Sequence, residues 1–127
     1  FTVNYFSPFL ITQKIIPILS KQGHVVFISS IGGLNGTVKF PGLSSYSSSK
    51  GALITLVECL AEEFKMTNLR FNCLALGAVQ TEMLKKAFPA YKAPLSAKKM
   101  ASFIFNFSID GKEFFNGKVL PVSTTTP

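Results

Sequence analysis

Apolar residues recur along this chain with two different periods. Across residues 2–21, Val3, Phe6, Leu10, Ile11, Ile15 and Ile18 fall at helical intervals and lay a broad apolar stripe along one side. Pro8 and Pro17 interrupt that pattern; each lacks a backbone N–H, so the expected helix bends there and turns carbonyls toward other partners. Residues 23–33 then run without alternation through Val25, Val26, Phe27 and Ile28 to Ser29, Ser30, Gly32 and Gly33. An unbroken apolar run predicts a strand covered on both faces, as in a parallel α/β sheet. Its carboxyl end carries hydroxyls, and ligands of open α/β sheets collect outside the carboxyl ends of the strands.

Residues 32–45, rich in Gly and Ser and containing Pro41, read as a loop of the kind that shapes a substrate pocket. A long helix follows, with Ser44 and Ser45 as its expected caps, Leu53, Leu56, Val57, Leu60, Ala61 and Phe64 as its packed side, and Glu58, Glu62 and Glu63 opposite. Residues 69–75 predict a second strand. Residues 82–91 predict a short helix and loop, where Met83, Leu84 and Phe88 either face an apolar part of a substrate or close the core. Leu95 and Ser96 open a helix to about residue 107, with Ser96 as cap and Leu95 stapled onto Met100. Residues 116–122 look like the last strand, Pro121 marking an edge or strand end. The pattern is that of an α/β chain with about three strands and four to five helices, without repeats or linkers.

With 127 residues, of which 47% are apolar, the chain is long enough for one domain with a real core. No apolar run reaches the length of a bilayer and no signal-peptide pattern is present, so the expectation is a soluble, cytoplasmic protein. Cys59 and Cys73 sit in apolar patterns without metal-ligand spacing and read as buried, reduced thiols. His24, the single histidine, opens a strand with no Ser or Asp pattern around it; it reads as structural, which argues against a hydrolase triad.

The candidate chemistry lies at the start of the long helix. Tyr46 and Lys50 are four residues apart and share a helix face, and a nearby ammonium favours the ionised form of a phenol, as a proton donor or acceptor requires. Asn4, Ser30, Tyr46 and Lys50 match, in order, the Asn-Ser-Tyr-Lys tetrad of the short-chain dehydrogenase/reductases, and residues 72–81 resemble that family's nicotinamide-side segment. The chain thus resembles this family over nearly its whole length.

The resemblance implies a Rossmann-like, doubly wound parallel sheet, of which residues 1–127 form the carboxyl-terminal half of a single domain. The glycine-rich phosphate turn and the residue selecting NAD or NADP then belong to an amino-terminal half preceding Phe1. It further implies hydride transfer between NAD(P) and a carbonyl or alcohol. Tyr46 is the implied general acid/base, Ser30 the partner of the carbonyl oxygen, Lys50 the tuner of Tyr46 and holder of the ribose, and Asn4 the support of a water relay through a displaced main chain. Ser29 stays open as the alternative to Ser30, because the stretch from Ser30 to Tyr46 is longer than is usual in the family.

Tyr46, Lys50, Gly77, Val79 and Thr81 are the implied cofactor contacts. Leu76 stands where the family commonly has proline, and the tail, residues 123–127, lacks the family's Asp-Gly-Gly. A homodimer or homotetramer, a mobile lid over residues 82–91, and a small carbonyl substrate, with an acyl thioester compatible, complete the expectation. The second reading is a non-catalytic scaffold for dimerisation or ligand sensing. The net charge of +7 is mostly lysine, scattered except around Lys85, Lys86, Lys92, Lys98 and Lys99; it reads as a solvated surface balanced by acidic residues in the other half, with a basic carrier-binding patch as the alternative and no nucleic-acid motif beside it.

Overall fold

The computed structural model describes residues 1–124. Among them a parallel three-stranded sheet is formed by β1 (His24–Ser30), β2 (Arg70–Leu76) and β5 (Val119–Val122), in the order β1-β2-β5. Two-residue strands β3 (Val79–Gln80) and β4 (Leu95–Ser96) form a separate parallel pair. The helices are α1 (Ser7–Ile15), α2 (Ser44–Glu63), α3 (Glu82–Ala87) and α4 (Ala97–Asp110).

The expected first helix is divided by its prolines and by one wider turn. A π-helical turn spans Thr2–Phe6, where Phe6 N–H reaches the Phe1 carbonyl at 3.0 Å, and α1 follows with Pro8 in its first turn, where a missing N–H is tolerated. Pro17 lies in a 3-10 turn over Ile16–Ile18 that ends the segment. The last helix runs further than the sequence pattern suggests, to Asp110, while β5 is shorter than residues 116–122.

In a strand, side chains alternate between faces, and the two faces of this sheet have different occupants. Register aligns Phe27 with Cys73 and Val25 with Phe71, and these pack against Leu53, Leu56, Val57, Leu60 and Ala61 of α2, with Tyr5 and Phe9 added from the amino-terminal segment. The buried α2 positions 49, 53, 56, 57, 60 and 61 form one stripe, so helical periodicity alone selects them. Cys73 is fully buried, as its sequence setting suggests. Cys59 is not: it lies beside Glu58 on the outward side of α2 and is exposed, a correction to its reading as buried. Ser44 and Ser45 make no capping bond either; Leu43 is the N-cap residue and contributes no side-chain acceptor.

On the other face, α4 is tied to the sheet by a polar cluster. The His24 ring contacts Phe107, with centroids 5.6 Å apart, and its Nδ1 faces the Ser108 carbonyl at 3.0 Å. A carbonyl only accepts, so Nδ1 carries the hydrogen and Nε2 accepts from Asn72 Nδ2 at 2.9 Å. Asn72, fully buried, also donates to the Phe115 carbonyl at 2.9 Å and accepts from Lys118 N–H at 3.1 Å. Asn72 thus makes three bonds and joins β1, β2 and the approach to β5. His24 is structural, as its setting in the sequence suggests.

Burial holds the His24 imidazole below its ordinary value of 6.5; the Ser108 bond opposes this and the Lys112 charge reinforces it. The unfolded chain therefore binds more protons than the folded one, and stability falls as pH drops below about 6.5. We expect the urea midpoint to be lower at pH 5.5 than at pH 7.5, with the difference reduced in His24→Gln. An equal pH dependence in that variant would remove His24 from the linkage.

Candidate functional site

The first turns of α2 sit against the carboxyl end of β1 at backbone distance. A Cβ on Gly33 would lie 2.7 Å from the Lys50 carbonyl carbon, and one on Gly51 would lie 3.2 Å from the Gly33 carbonyl oxygen. Glycine at both positions lets the turn Ile31–Gly33, after β1, meet the helix without intervening side chains. Two hydrogen bonds join residue 50 to the strand. Lys50 Nζ donates to the Ile28 carbonyl at 3.1 Å, and Ser29 Oγ donates to the Lys50 carbonyl at 2.9 Å.

Tyr46 lies one turn before Lys50, and Lys50 Nζ stands 5.9 Å from the centre of its ring. The single ion pair among the described residues is Lys65 with Glu62, so Lys50 has no carboxylate partner there. Burial lowers the pKa of the Lys50 ammonium. Burial also pushes the nearby Cys73 thiol up to about 11, opposed by bonds from Ser29 and the Lys50 charge, so Cys73 is neutral near pH 7. The ammonium is thus a half-buried, unpaired cation at the carboxyl end of a parallel sheet, fit to hold polar oxygens of a ligand.

Asn4 lies in the π-helical turn and reaches this helix through its side chain. Its Nδ2 donates to Ser49 Oγ at 3.1 Å, and Ser49 Oγ donates to the Tyr46 carbonyl at 2.7 Å. Pro8, four residues on, has no N–H to offer the Asn4 carbonyl. Asn4, Tyr46 and Lys50 are thereby brought into one connected group. Ser49 is fully buried, and sequence reasoning missed it; the available signal was a hydroxyl in phase with the apolar stripe of α2.

The two strand-end serines divide between the faces. Ser29 is 3% exposed and bound to the helix, whereas Ser30 is half-buried and its Oγ accepts from Gly32 N–H at 3.1 Å. A Cβ on Gly32 would lie 3.5 Å from both Ser30 Oγ and Ser47 Oγ, so the turn after β1 brings the Ser30 hydroxyl near that of Ser47, the residue after Tyr46.

The expected cofactor contacts follow β2. Ser30 is the register partner of Leu76, and Gly77 comes next, its N–H bonded to the Val122 carbonyl at 2.9 Å. A Cβ on Gly77 would fall 2.5 Å from Ser123 Oγ, so packing already demands glycine there. Val79 pairs with Leu95, and Thr81 Oγ1 caps α3 by accepting from Leu84 N–H at 3.2 Å. The segments after β1 and after α3 meet where the rings of Phe40 and Phe88 lie edge to face, 5.8 Å apart. Met83 is 68% exposed and outside the core.

The short chain dehydrogenase family profile matches residues 1–92. The chain is 40% identical over 81 residues to human dehydrogenase/reductase SDR family member 4, covering 62% of this chain and 28% of that protein. It is similar to the crystal structure of a short chain dehydrogenase from Escherichia coli CFT073 complexed with NADPH, with a TM-score of 0.79 and 29% identity over 94% of this chain and 50% of that one. It is also similar to 4-hydroxyisoleucine dehydrogenase complexed with NADH, with a TM-score of 0.79 and 25% identity over 95% of this chain and 55% of that one. The chain therefore spans about half, or less, of the length of these relatives.

Gly33→Ala should separate α2 from β1, because the added methyl meets backbone rather than a movable side chain. The expected cost is about 1–3 kcal/mol, read as a lower urea midpoint with an unchanged slope. An unaltered midpoint would show that the helix is not seated on this glycine.

Proposed function

Since the chain belongs to the short chain dehydrogenase family, we propose that the protein transfers a hydride between NAD or NADP and a small carbonyl or alcohol, with Tyr46 moving the proton. The observation carrying this reading is the unpaired Lys50 ammonium, held beside the Tyr46 ring at the carboxyl end of β1 with Ser30 at the adjoining turn. The relatives complexed with NADPH and NADH support the choice of cofactor class.

The residues present suit a nicotinamide nucleotide. Lys50 offers donors without a competing carboxylate, and Gly77, Val79 and Thr81 follow the neighbouring strand end, where backbone groups and a hydroxyl would hold the nicotinamide side. When bound, the nicotinamide supplies or accepts the hydride.

The chain's own part is positioning and proton handling. Ser30 Oγ donates to the substrate oxygen and fixes the carbonyl. Tyr46 gives its phenolic proton to that oxygen as alkoxide character develops, and takes it back in the oxidative direction. Lys50, whose ammonium stands beside the Tyr46 ring, holds the ribose hydroxyls. Asn4, tied through Ser49 to the Tyr46 turn, supports resupply of the proton through its main-chain carbonyl. The exposed Lys85, Lys86 and Lys92 near α3 suit an anionic handle on the substrate, as an acyl thioester carrier would have.

In the full-length protein, Tyr46→Phe should lower kcat for carbonyl reduction at least about a hundredfold while leaving NADH or NADPH affinity within about threefold. Nicotinamide fluorescence titration and steady-state kinetics measure the two quantities. Full activity in Tyr46→Phe removes Tyr46 as the proton donor. Absence of saturable nucleotide binding by the wild type favours a non-catalytic scaffold instead.

A further inference from the structure

We propose that Ser29 is a positioning residue that sets Lys50, a role separate from that of the Ser30 hydroxyl and resting on the reading above. Alternation sends the two serines to opposite sides of β1. Ser29 enters the layer between sheet and helix, on the side occupied by Phe27, Cys73 and Leu53. A hydroxyl in such a layer is costly unless it is bonded. Its acceptor is the Lys50 carbonyl at 2.9 Å, a stronger acceptor than the neutral Cys73 thiol beside it.

Lys50 is therefore held at both ends by consecutive strand residues. Ser29 fixes its main chain and Ile28 receives its ammonium at 3.1 Å. The lysine side chain is a flexible four-carbon stem, so the place of its charge depends on where the main chain is anchored. Removing the Ser29 hydroxyl leaves no buried donor unmatched, and the Lys50 carbonyl keeps its place in the helix. The fold then persists, while the main-chain anchor of the ammonium is lost. Tyr46 shares that turn and feels the change through Lys50.

The test compares Ser29→Ala, Ser29→Thr and Ser29→Cys with the wild-type, full-length protein. NADH and NADPH affinity is followed by nicotinamide fluorescence, and turnover by reduction of 2,3-butanedione and benzaldehyde. Ser29→Ala should weaken nucleotide binding and lower kcat by about tenfold each, with KM for the carbonyl within about threefold, and Ser29→Thr should restore both.

Wild-type affinity and kcat in Ser29→Ala would overturn the role, as would equal losses in Ser29→Ala and Ser29→Thr. If Ser29→Ala does not fold, Ser29→Cys, nearly isosteric but a weak donor, decides the question. Wild-type behaviour in that variant overturns the proposal, and loss of affinity supports it. Wild-type protein that binds neither nucleotide overturns the enzymatic reading and this role with it. That outcome is distinct, because it appears before any substitution is made.

Discussion

The close seating of one helix on one strand end governs the rest of this structure. Where α2 meets β1, glycine at 33 and 51 lets main chain approach main chain, and the Lys50 carbonyl and ammonium each bond a residue of the strand. Close approach by itself would leave the helix free to slide. Two bonds from one residue to adjacent strand positions fix its height, and Tyr46, one turn earlier, is carried along. The candidate chemistry is thus built on rigid elements, with loops added around it.

The opposite face of the sheet solves a different problem. There, Phe107 and Phe115 supply apolar contact, but attachment of α4 also runs through a buried amide and a neutral imidazole. Each N–H of the cluster has its own acceptor, the Asn72 amide using both of its hydrogens, which fixes the histidine tautomer and the orientation of Asn72. Among the described residues no buried side-chain polar atom lacks a partner, consistent with the cost of leaving one unmatched. A core with directional bonds on one side and graded packing on the other specifies register more tightly than apolar contact does.

Charge has little part in holding the fold together. Despite the net charge of +7, the one ion pair among the described residues is an exposed contact within a single turn, and such pairs contribute little. Lys85, Lys86, Lys92, Lys98 and Lys99 are all exposed. Lys85 and Lys86 fall in the last turn of α3, where cations suit the helix dipole. Lys50 is half-buried, bound to the Ile28 carbonyl, and has its pKa lowered by burial.

Periodicity in the sequence was enough to identify β1, β2 and the long α2, their parallel α/β class, and the residues of α2 that face the sheet. Those features depend on contacts whose pattern repeats locally, every second or every third to fourth residue. It was also enough to bring Tyr46 and Lys50 together, since one helical turn does so in any fold. It did not reveal the π-helical turn at Asn4, the exposure of Cys59, the lack of a side-chain cap on α2, or the pairing of Val79 with Leu95. It left Ser29 open as the alternative to Ser30 and gave no role to Ser49. Those outcomes depend on partners 45 residues away for Asn4 and Ser49, and 21 for Ser29 and Lys50. Only the packed sheet and helices decide which hydroxyl finds the helix carbonyl and which turns to its own loop, because a hydrogen bond needs a partner within about 3 Å, and no local pattern encodes that proximity.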